Sequence, residues 1–343
     1  MKKKILLLYT GGTIGMMQDA ESNTLKPFPF RDIYIHLPML KLLDTEITYV
    51  ELQPLIDSSN TNPDFWIRLA KLIAEQYDEY DGFVILHGTD TMAYTASALS
   101  FLLENLNKPV ILTGSQLPLG VMRTDGRENI LNSVEIATAT RNGKPRVPEV
   151  CIYFENALYR GNRAYKHHAE QFHAFTSSNY PKLAEVGAKI KYNDFCIAPM
   201  PDEPLILHTQ MDDNIAILKL YPGITESLVG TFFETPGLRA VIMETYGTGN
   251  APTNDVFLSL LEKAVQKGII VINVTQCKGG GGVETGLYET SRHLRDIGVV
   301  SGFDITTEAA VAKLMYLLGQ GLSNEEVKQW MQIPLRGELT VDS

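Results

Sequence analysis

The stretch KILLLYTGGTIG, residues 4–15, decides the fold of this chain. Its first part, Lys4–Tyr9, is a continuous apolar run without the polar alternation of a strand that has one face in water. A run of this length indicates a strand buried on both faces, which usually belongs to a parallel sheet. A glycine-rich loop follows at once, and open α/β sheets bind ligands in the loops at the carboxyl ends of their strands. The stretch therefore predicts an α/β fold with a candidate binding loop after its first strand.

The same pattern recurs along the first half of the chain. Further apolar runs predict strands at Ile47–Leu52, Gly82–His87, Pro109–Thr113 and Val150–Phe154. Segments with apolar residues near a 3.6-residue period separate them and predict helices at Pro63–Tyr77, Met92–Leu103 and Asn129–Thr140. Strands that alternate with helices through short connections predict βαβ crossovers, and hence a mostly parallel sheet flanked by helices.

A proline-rich segment, Ile197–Asp213, interrupts this alternation. We therefore expect a larger N-terminal α/β domain at 1–195, a linker at 196–213 and a smaller C-terminal α/β domain at 214–343. The C-terminal part has predicted strands at Asn214–Leu220, Leu238–Met243 and Gly268–Val274, and predicted helices at Asn254–Gln266 and Thr307–Leu318. At about 150 residues per domain, the length of 343 residues also predicts two domains.

The composition excludes several classes of protein. Thirty Lys and Arg against 40 Asp and Glu give a net charge of −10, which argues against a nucleic acid or an anionic membrane as the main partner. No stretch approaches the roughly 20 apolar residues of a membrane span, and Ile5–Leu8 is shorter than the about 7–15 apolar residues of a signal peptide. We therefore predict a cytoplasmic protein. Three cysteines without a CxxC pair argue against a disulfide framework, and Cys277 is expected to be a buried, inert thiol.

Loops that carry hydroxyl groups follow four successive predicted strands. They are Thr10–Thr13 (TGGT), Asp57–Asn60 (DSSN), His87–Thr91 (HGTDT) and Thr113–Gln116 (TGSQ). Taken singly, the first is also explained as a tight glycine turn, and the next two as turns or helix caps. Taken together, they leave one edge of one sheet and predict a crevice lined by hydroxyl groups. A dinucleotide fingerprint would need glycine at position 10, and no GK[ST] phosphate loop is present.

A hydroxyl nucleophile needs a base and donors for the developing oxyanion. The chain has no GxSxG elbow, so the sequence favours a threonine nucleophile with lysine or tyrosine as the activating group. His167, His168 and His173 lack the i, i+4 spacing of a helical metal-binding pair, and a surface cluster is favoured over a metal site. We expect neither a metal nor a cofactor.

These motifs, in this order and spacing, resemble those of bacterial L-asparaginases, and most closely the type I, cytoplasmic branch. The resemblance rests on TGGTIG, HGTDT, TGSQ and Lys166 in the first half, and on residues 246–252, 274–277 and 301–314 in the second. It covers nearly the whole chain. It implies an amidohydrolase that converts L-asparagine to L-aspartate and ammonia without a cofactor, in a homodimer or homotetramer. Some type I members also bind asparagine at a regulatory site.

The resemblance implies a role for each matching residue. Thr13 matches the threonine that attacks the side-chain amide carbon and forms an acyl-enzyme. Thr89, Asp90 and Lys166 match a second hydrogen-bonded group; the protonation state of Lys166 stays open, because Asp90 favours the charged form and burial favours the neutral one. The matching substrate-binding positions are Gly12, Asp57, Ser58, Ser59 and Gly88.

One position departs from the family pattern. Many members have a tyrosine shortly after the first threonine, whereas Ser22–Pro27 has none. Tyr288 fits the tyrosine that the type I branch has in its second domain, or it is a packing residue beside a glycine-rich loop. Two other functions stay open: an ammonia-generating subunit of a tRNA-dependent amidotransferase, and a dinucleotide-dependent oxidoreductase.

Overall fold

The computed structural model describes residues 2–18, 25–27, 33–284 and 289–341. The chain divides into two compact units, 1–209 and 210–343, and the division falls within the segment expected as the linker. Each unit is an α/β structure with its own hydrophobic core. The larger, mostly parallel sheet belongs to the first unit and the smaller sheet to the second, which confirms the predicted fold class.

Eight described strands of the first unit form one large sheet. They are β1 (Lys3–Tyr9), β2 (Thr45–Glu51), β3 (Gly82–Leu86), β4 (Val110–Thr113), β5 (Val150–Phe154), β6 (Ala157–Arg160), β7 (Ala184–Val186) and β8 (Ile190–Tyr192). They lie side by side in the order β8-β7-β6-β5-β4-β3-β1-β2. Strands β1 to β5 pair in parallel, and β6 to β8 extend the sheet antiparallel. The inner strands β3, β4 and β5 are buried throughout, as their apolar runs predict.

The prediction that the run Ile47–Leu52 is buried on both faces is wrong. This run lies in β2, which among the described residues pairs with β1 alone and forms an edge of the sheet. Tyr49 in the middle of β2 is 38% exposed. An edge strand covers the core on one side and is exposed on the other. A run of apolar residues does not reveal whether its strand lies at the edge or in the interior of a sheet.

Helices of the first unit connect the parallel strands. They are α1 (Ile33–His36), α2 (Pro63–Glu75), α3 (Met92–Leu102) and α4 (Gly126–Thr138). Helix α2 begins where predicted, because Pro63 suits the first helical position and the Asn62 side chain accepts the Phe65 N–H at 3.0 Å. Helix α4 begins earlier than the predicted Asn129, since its first residues are a glycine and polar side chains outside the apolar period.

Four short two-stranded ladders lie outside the large sheet. They pair Met16–Gln18 with Leu25–Pro27, Leu103–Glu104 with Ile206–Leu207, Thr140–Arg141 with Lys144–Pro145, and Tyr165–Lys166 with Phe175–Thr176.

The second unit has a parallel sheet in the order β9 (Ile215–Lys219), β10 (Ala240–Thr245), β11 (Ile270–Thr275), β12 (Val300–Ser301). Its described helices are α5 (Glu226–Phe233), α6 (Asp255–Gln266), α7 (Glu289–Ile297), α8 (Thr307–Gly319) and α9 (Asn324–Met331).

Cys277 is exposed, so the prediction of a buried thiol is wrong. It follows β11 in a glycine-rich loop, where no apolar run encloses it. Over the described ranges, every helix is too short or too polar to cross a bilayer.

Candidate active site

The loops after β1 and β3 leave the sheet at neighbouring positions. Strand β1 has β2 on one side and β3 on the other, while β4 and β5 continue beyond β3. The order 2-1-3-4-5 therefore reverses direction between β1 and β3, and open α/β sheets bind ligands in the crevice at such a reversal. The Thr10 N–H and hydroxyl both donate to the Leu86 carbonyl, at 3.0 and 2.9 Å, and join the ends of the two strands. Both threonine loops therefore begin at this crevice.

Glycine allows the two loops to touch. A Cβ on Gly12 would lie 2.6 Å from the N and Cα atoms of Gly88, closer than real side chains come to backbone. Gly12 also has φ of +88°, a conformation that favours glycine. Thr13 and Thr89 each follow one of these glycines. The backbone contact therefore places the two candidate threonines on adjoining loops.

The third loop closes against the same two. The Ile56 N–H donates to the Thr10 carbonyl at 2.9 Å, and a Cβ on Gly11 would lie 2.2 Å from the Ile56 oxygen. A Cβ on Gly88 would lie 2.5 Å from Ser58 Oγ. The predicted meeting of these loops at one crevice is therefore seen in the backbone contacts, and glycine at positions 11, 12 and 88 is what permits it.

The Asp57–Ser59 segment presents an ionised carboxylate. Asp57 Oδ1 accepts the Ser59 N–H at 2.9 Å and the Ser59 hydroxyl at 2.8 Å. These hydrogen bonds lower the pKa of Asp57 from its ordinary value. Asp57 and Ser59 are exposed, whereas Ser58 is buried, with its carbonyl accepting the Thr91 hydroxyl at 2.6 Å.

A hairpin brings Lys166 to the second threonine. Lys166 lies in the ladder of Tyr165–Lys166 with Phe175–Thr176, and its Nζ donates to Thr89 Oγ1 at 2.8 Å and to Asp90 Oδ1 at 2.7 Å. The Lys166 side chain is 18% exposed and that of Asp90 is 68% exposed. A lysine that donates to the Thr89 oxygen leaves the hydroxyl hydrogen for another acceptor. These three residues, expected from the sequence to act together, do lie together.

His87 lies beneath this group in a buried chain of hydrogen bonds. Its Nδ1 lies 2.7 Å from the Gly88 carbonyl, which can only accept, so Nδ1 carries the hydrogen. Nε2 then accepts from the Thr95 hydroxyl at 3.0 Å, and the Thr95 oxygen accepts Trp66 Nε1–H at 3.0 Å. Burial lowers the pKa of His87 to about 4. The ring is therefore neutral at physiological pH and supports the backbone ahead of Thr89.

The fourth loop, TGSQ, borders the same group. A Cβ on Gly114 would lie 2.4 Å from the His87 carbonyl and 3.4 Å from Thr89 Cγ2. Asp125 and Asn129, which the sequence analysis did not single out, hold this loop by hydrogen bonds. The sequence pattern does not reveal them, because Asp125 lies before the predicted start of the helix at Asn129, and an aspartate close to a helix start indicates a cap rather than a contact with a distant loop.

Other candidate residues lie elsewhere or outside the described ranges. Tyr288 lies outside the described residues. His168 Nδ1 accepts the N–H groups of Glu170 and Gln171 at 3.1 and 3.0 Å, and His173 contacts Glu155 at 2.9 Å. In the described part of the chain, His, Cys, Asp and Glu side chains form no group that could hold a metal ion.

Comparison with known proteins gives matches along both units. The family model described as "Asparaginase, N-terminal" matches residues 4–196, and the one described as "Glutaminase/Asparaginase C-terminal domain" matches residues 214–331. The chain is 45% identical over 349 residues to L-asparaginase 1 of Escherichia coli (strain K12), with 99% of both chains covered. It is 42% identical over 363 residues to the 60 kDa lysophospholipase of Mus musculus, with 99% of this chain and 63% of that protein covered.

A solved structure is also similar to this chain over nearly its whole length. The crystal structure of L-asparaginase I from Vibrio cholerae has a TM-score of 0.90 and 43% sequence identity, with 99% of this chain and 100% of that chain covered. The similarity thus extends over both units.

Proposed function

The chain belongs to the asparaginase family, and on that basis we propose that it hydrolyses L-asparagine to L-aspartate and ammonia. The observation that supports this most is the placement of Lys166 Nζ between Thr89 and Asp90, beside the contact of Gly12 with Gly88. The oxidoreductase alternative finds no support in the family match. The amidotransferase alternative predicts a need for a partner, which the experiment below tests.

In the proposed reaction, Thr13 is the nucleophile. Its Oγ attacks the side-chain amide carbon of asparagine and gives up its proton to the activating group. The C–N bond breaks, the leaving nitrogen takes a proton, and ammonia departs from an aspartyl ester on Thr13. Water adds to the ester carbon, the bond to Thr13 Oγ breaks, and aspartate is released. Two steps replace one difficult displacement, as in other covalent mechanisms.

Lys166, Thr89 and Asp90 form the activation network in this proposal. Lys166 Nζ donates to Thr89 Oγ1 at 2.8 Å, and a donated hydrogen bond favours ionisation of that hydroxyl and thus its use in proton transfer. The backbone N–H groups near Gly12 and Thr89 are the proposed oxyanion donors, since they lie on the two touching loops. Tyr288 stays a proposed assistant to Thr13.

In this proposal, carboxylate and hydroxyl side chains bind the α-ammonium and α-carboxylate groups of the substrate. Asp90 is largely exposed and suits the substrate's α-ammonium, and Asp57 is kept ionised by its lowered pKa. Ser58 and Ser59 complete this proposed site: the Ser58 hydroxyl is a proposed donor for the α-carboxylate, and the Ser59 hydroxyl donates to Asp57. Gly12 and Gly88 allow the substrate to approach the backbone closely.

Ammonia release from L-asparagine, D-asparagine and L-glutamine tests the proposal with Thr13→Ala, Thr89→Val and Lys166→Met. Each variant is expected to lose about 100-fold or more in kcat, the usual effect of removing a group that stabilises the transition state. Thr140→Val and Lys182→Met are matched controls, because Thr140 is exposed and Lys182 pairs with Glu185 at the surface.

Unchanged release in both threonine variants would contradict the mechanism. Wild-type protein that releases no ammonia from free L-asparagine would contradict the substrate. Release that requires an added protein partner would favour the amidotransferase alternative.

We further propose that the protein works in the cytoplasm as a homodimer or homotetramer, as its family resemblance implies. Light scattering should then give two or four times the chain mass of 38.2 kDa. A mass of one chain at micromolar concentration would contradict the assembly.

A further inference from the structure

The start of helix α4 is built in an unusual way. Asp125 is its N-cap, yet within the described residues its side chain makes no capping bond to its own helix. Thr91 at the start of α3 also makes no such bond, whereas the N-cap side chains of five other described helices accept an N–H of their own first turn: Asn62, Thr225, Asn254, Thr306 and Ser323. The Gly126 N–H in the first turn of α4 donates to the Thr124 hydroxyl at 3.0 Å, so Thr124 supplies the capping bond and the Asp125 carboxylate serves other partners.

The Asp125 carboxylate is directed at the TGSQ loop instead. It accepts the Gln116 N–H at 3.1 and 3.0 Å through its two oxygens, and the Leu117 N–H at 3.1 Å. Burial raises the pKa of Asp125, although these N–H donors act in the opposite direction. The N–H groups of two successive loop residues converge on this one side chain, and this geometry ties Asp125 to the loop.

Asn129 holds the same loop from the next turn of α4. It is 1% exposed, and its Nδ2 donates to the Gly114 carbonyl at 2.9 Å and to Asp125 Oδ2 at 3.3 Å. Its Oδ1 accepts the Glu155 N–H at 2.9 Å. The amide can satisfy these partners in one orientation only, because a carbonyl and a carboxylate lie on one side and an N–H on the other.

The loop that these residues hold lies next to two of the three residues of the second hydrogen-bonded group, Thr89 and Lys166. Gly114 lies against the His87 carbonyl and Thr89 Cγ2. The Gln116 side chain donates to the carbonyls of Ala169 and Gln171, both at 3.0 Å. Those two carbonyls belong to the loop of the hairpin that carries Lys166. The loop thus has one contact next to Thr89 and another next to the lysine that bonds to it.

The first turn of α4 also contacts the loop of the first threonine. A Cβ on Gly126 would lie 3.2 Å from Ile14 Cγ1, Leu119 Cδ2 and Ser115 Cβ. Ile14 directly follows Thr13, and its carbonyl accepts the Leu119 N–H at 3.4 Å. The start of α4 is therefore packed against the TGSQ loop and against the residue after Thr13.

We propose that Asp125 and Asn129 are positioning residues, which fix the Gly114–Leu117 turn so that Thr89 and the Lys166 hairpin keep their mutual geometry. The catalytic part of this inference rests on the proposed function. Neither side chain is assigned contact with substrate. Their contribution is to hold Lys166 Nζ within hydrogen-bond distance of Thr89 Oγ1, where a displacement of one ångström is enough to slow a reaction severely.

Two isosteric variants test the proposal. Asn129→Asp turns a donor into an acceptor opposite the Gly114 carbonyl and the Asp125 carboxylate. Asp125→Asn places an NH2 group where Oδ2 accepts the Gln116 N–H and the Asn129 amide, or, in the flipped orientation, where Oδ1 accepts the Gln116 and Leu117 N–H groups, so donors face each other in either case. Each is expected to lower kcat for L-asparagine at least tenfold with less than a threefold change in KM, because the loops at Asp57 and Ser58 are not touched.

Asn132→Asp is the matched control. Asn132 lies on the same helix, but its Nδ2 donates to the Tyr153 hydroxyl at 2.9 Å and not to the TGSQ loop. Its kcat should stay within twofold of the wild type. Folded protein is measured in each sample by circular dichroism, and rates are expressed per folded enzyme; Asp125→Asn carries the test if Asn129→Asp does not fold.

Amide hydrogen exchange gives a readout that does not depend on turnover. Exchange should become faster in residues 114–117 and 165–171 of the two variants, and not in Asn132→Asp. Unchanged exchange there, kcat within twofold of the wild type, or an equal loss in the control would overturn the proposal. If the wild type does not hydrolyse L-asparagine, the proposed function fails, and hydrogen exchange still decides the positioning role.

Discussion

The hydrogen-bond partners of His87, next to the Thr89 loop, favour the neutral form of its ring. A charged His87 would have to place Nε2–H against the Thr95 hydroxyl, whose oxygen already accepts from Trp66. The Thr95 hydrogen would then lose His87 as its acceptor. Burial adds the cost of an enclosed charge, and together these effects keep the ring neutral.

This neutral ring predicts a pH dependence of stability. The pKa of His87 falls from 6.5 to about 4 on folding, so the unfolded chain binds a proton between these values while the folded chain does not. The contribution of His87 is therefore complete above pH 6.5 and declines as the pH falls toward 4, by roughly 3 kcal/mol in total. Urea unfolding at several pH values measures it.

His87→Gln is the informative variant, because glutamine does not titrate in this range. The free energy of unfolding should fall less steeply from pH 6.5 to 4 in the variant than in the wild type. Equal slopes in the two proteins would show that His87 is not responsible.

The loops act as structural units, and their close approach depends on glycine at defined positions. Gly11 and Gly12 both have positive φ, at 124° and 88°, and each faces backbone of another loop. A side chain at either position would meet backbone atoms, which cannot rotate aside. The crevice between β1 and β3 is therefore as narrow as backbone contact allows.

Gly12→Ala is expected to disrupt the crevice, whereas Gly143→Ala is not. Gly143 also has a positive φ, 79°, but among the described residues nothing lies within 4 Å of a Cβ built there. The control should cost about 1–2 kcal/mol from the backbone conformation alone. Gly12→Ala should cost about 1–3 kcal/mol more from the clash, and turnover of L-asparagine should fall as the loops separate.

Denaturant unfolding and ammonia release compare the two glycine variants directly. Equal destabilisation of both, with activity retained in Gly12→Ala, would mean that the loops can separate without consequence.

The second unit depends on a buried ion pair in addition to its apolar core. Lys313 Nζ in α8 lies 2.6 Å from Glu338 Oε1, and both side chains are 0% exposed. Lys313 also donates to the Ile333 carbonyl at 2.7 Å, and Glu338 accepts the Arg336 N–H at 2.7 Å. The pair therefore attaches the segment after α9 to helix α8.

Glu338→Ala should destabilise the protein by about 3–5 kcal/mol, because it leaves the Lys313 charge buried without its partner. Glu234→Ala is the control in the same unit, since Glu234 pairs with Lys267 at the surface and such pairs contribute little. Differential scanning calorimetry should show a large loss of Tm for the first variant and a small one for the second. Similar shifts in both would rule out the ion pair as a main contributor.

The local sequence pattern is sufficient to predict an element when the composition of one segment determines whether that segment is buried. Runs such as Val150–Phe154 are enclosed on both faces, so their composition alone predicts β5 with its observed bounds. The threonine loops were predictable because they follow such strands, and Lys166 because the family resemblance carried it. Helix α4 begins before the predicted Asn129, since its first residues, Gly126, Arg127 and Glu128, are a glycine and charged side chains that lie outside the apolar period.

The order of residues along this chain thus determined its fold class, its inner strands and the identity of its threonine loops, because burial of apolar runs is a local requirement. Tertiary structure alone decided that β2 is an edge strand, that Cys277 is exposed and that Asp125 serves a distant turn. Those outcomes depend on which segments become neighbours after folding. The contact of Gly12 with Gly88 depends on both the sequence and the tertiary structure. Glycine at these positions permits the contact, and only the β1–β3 pairing of the folded sheet brings the two loops together.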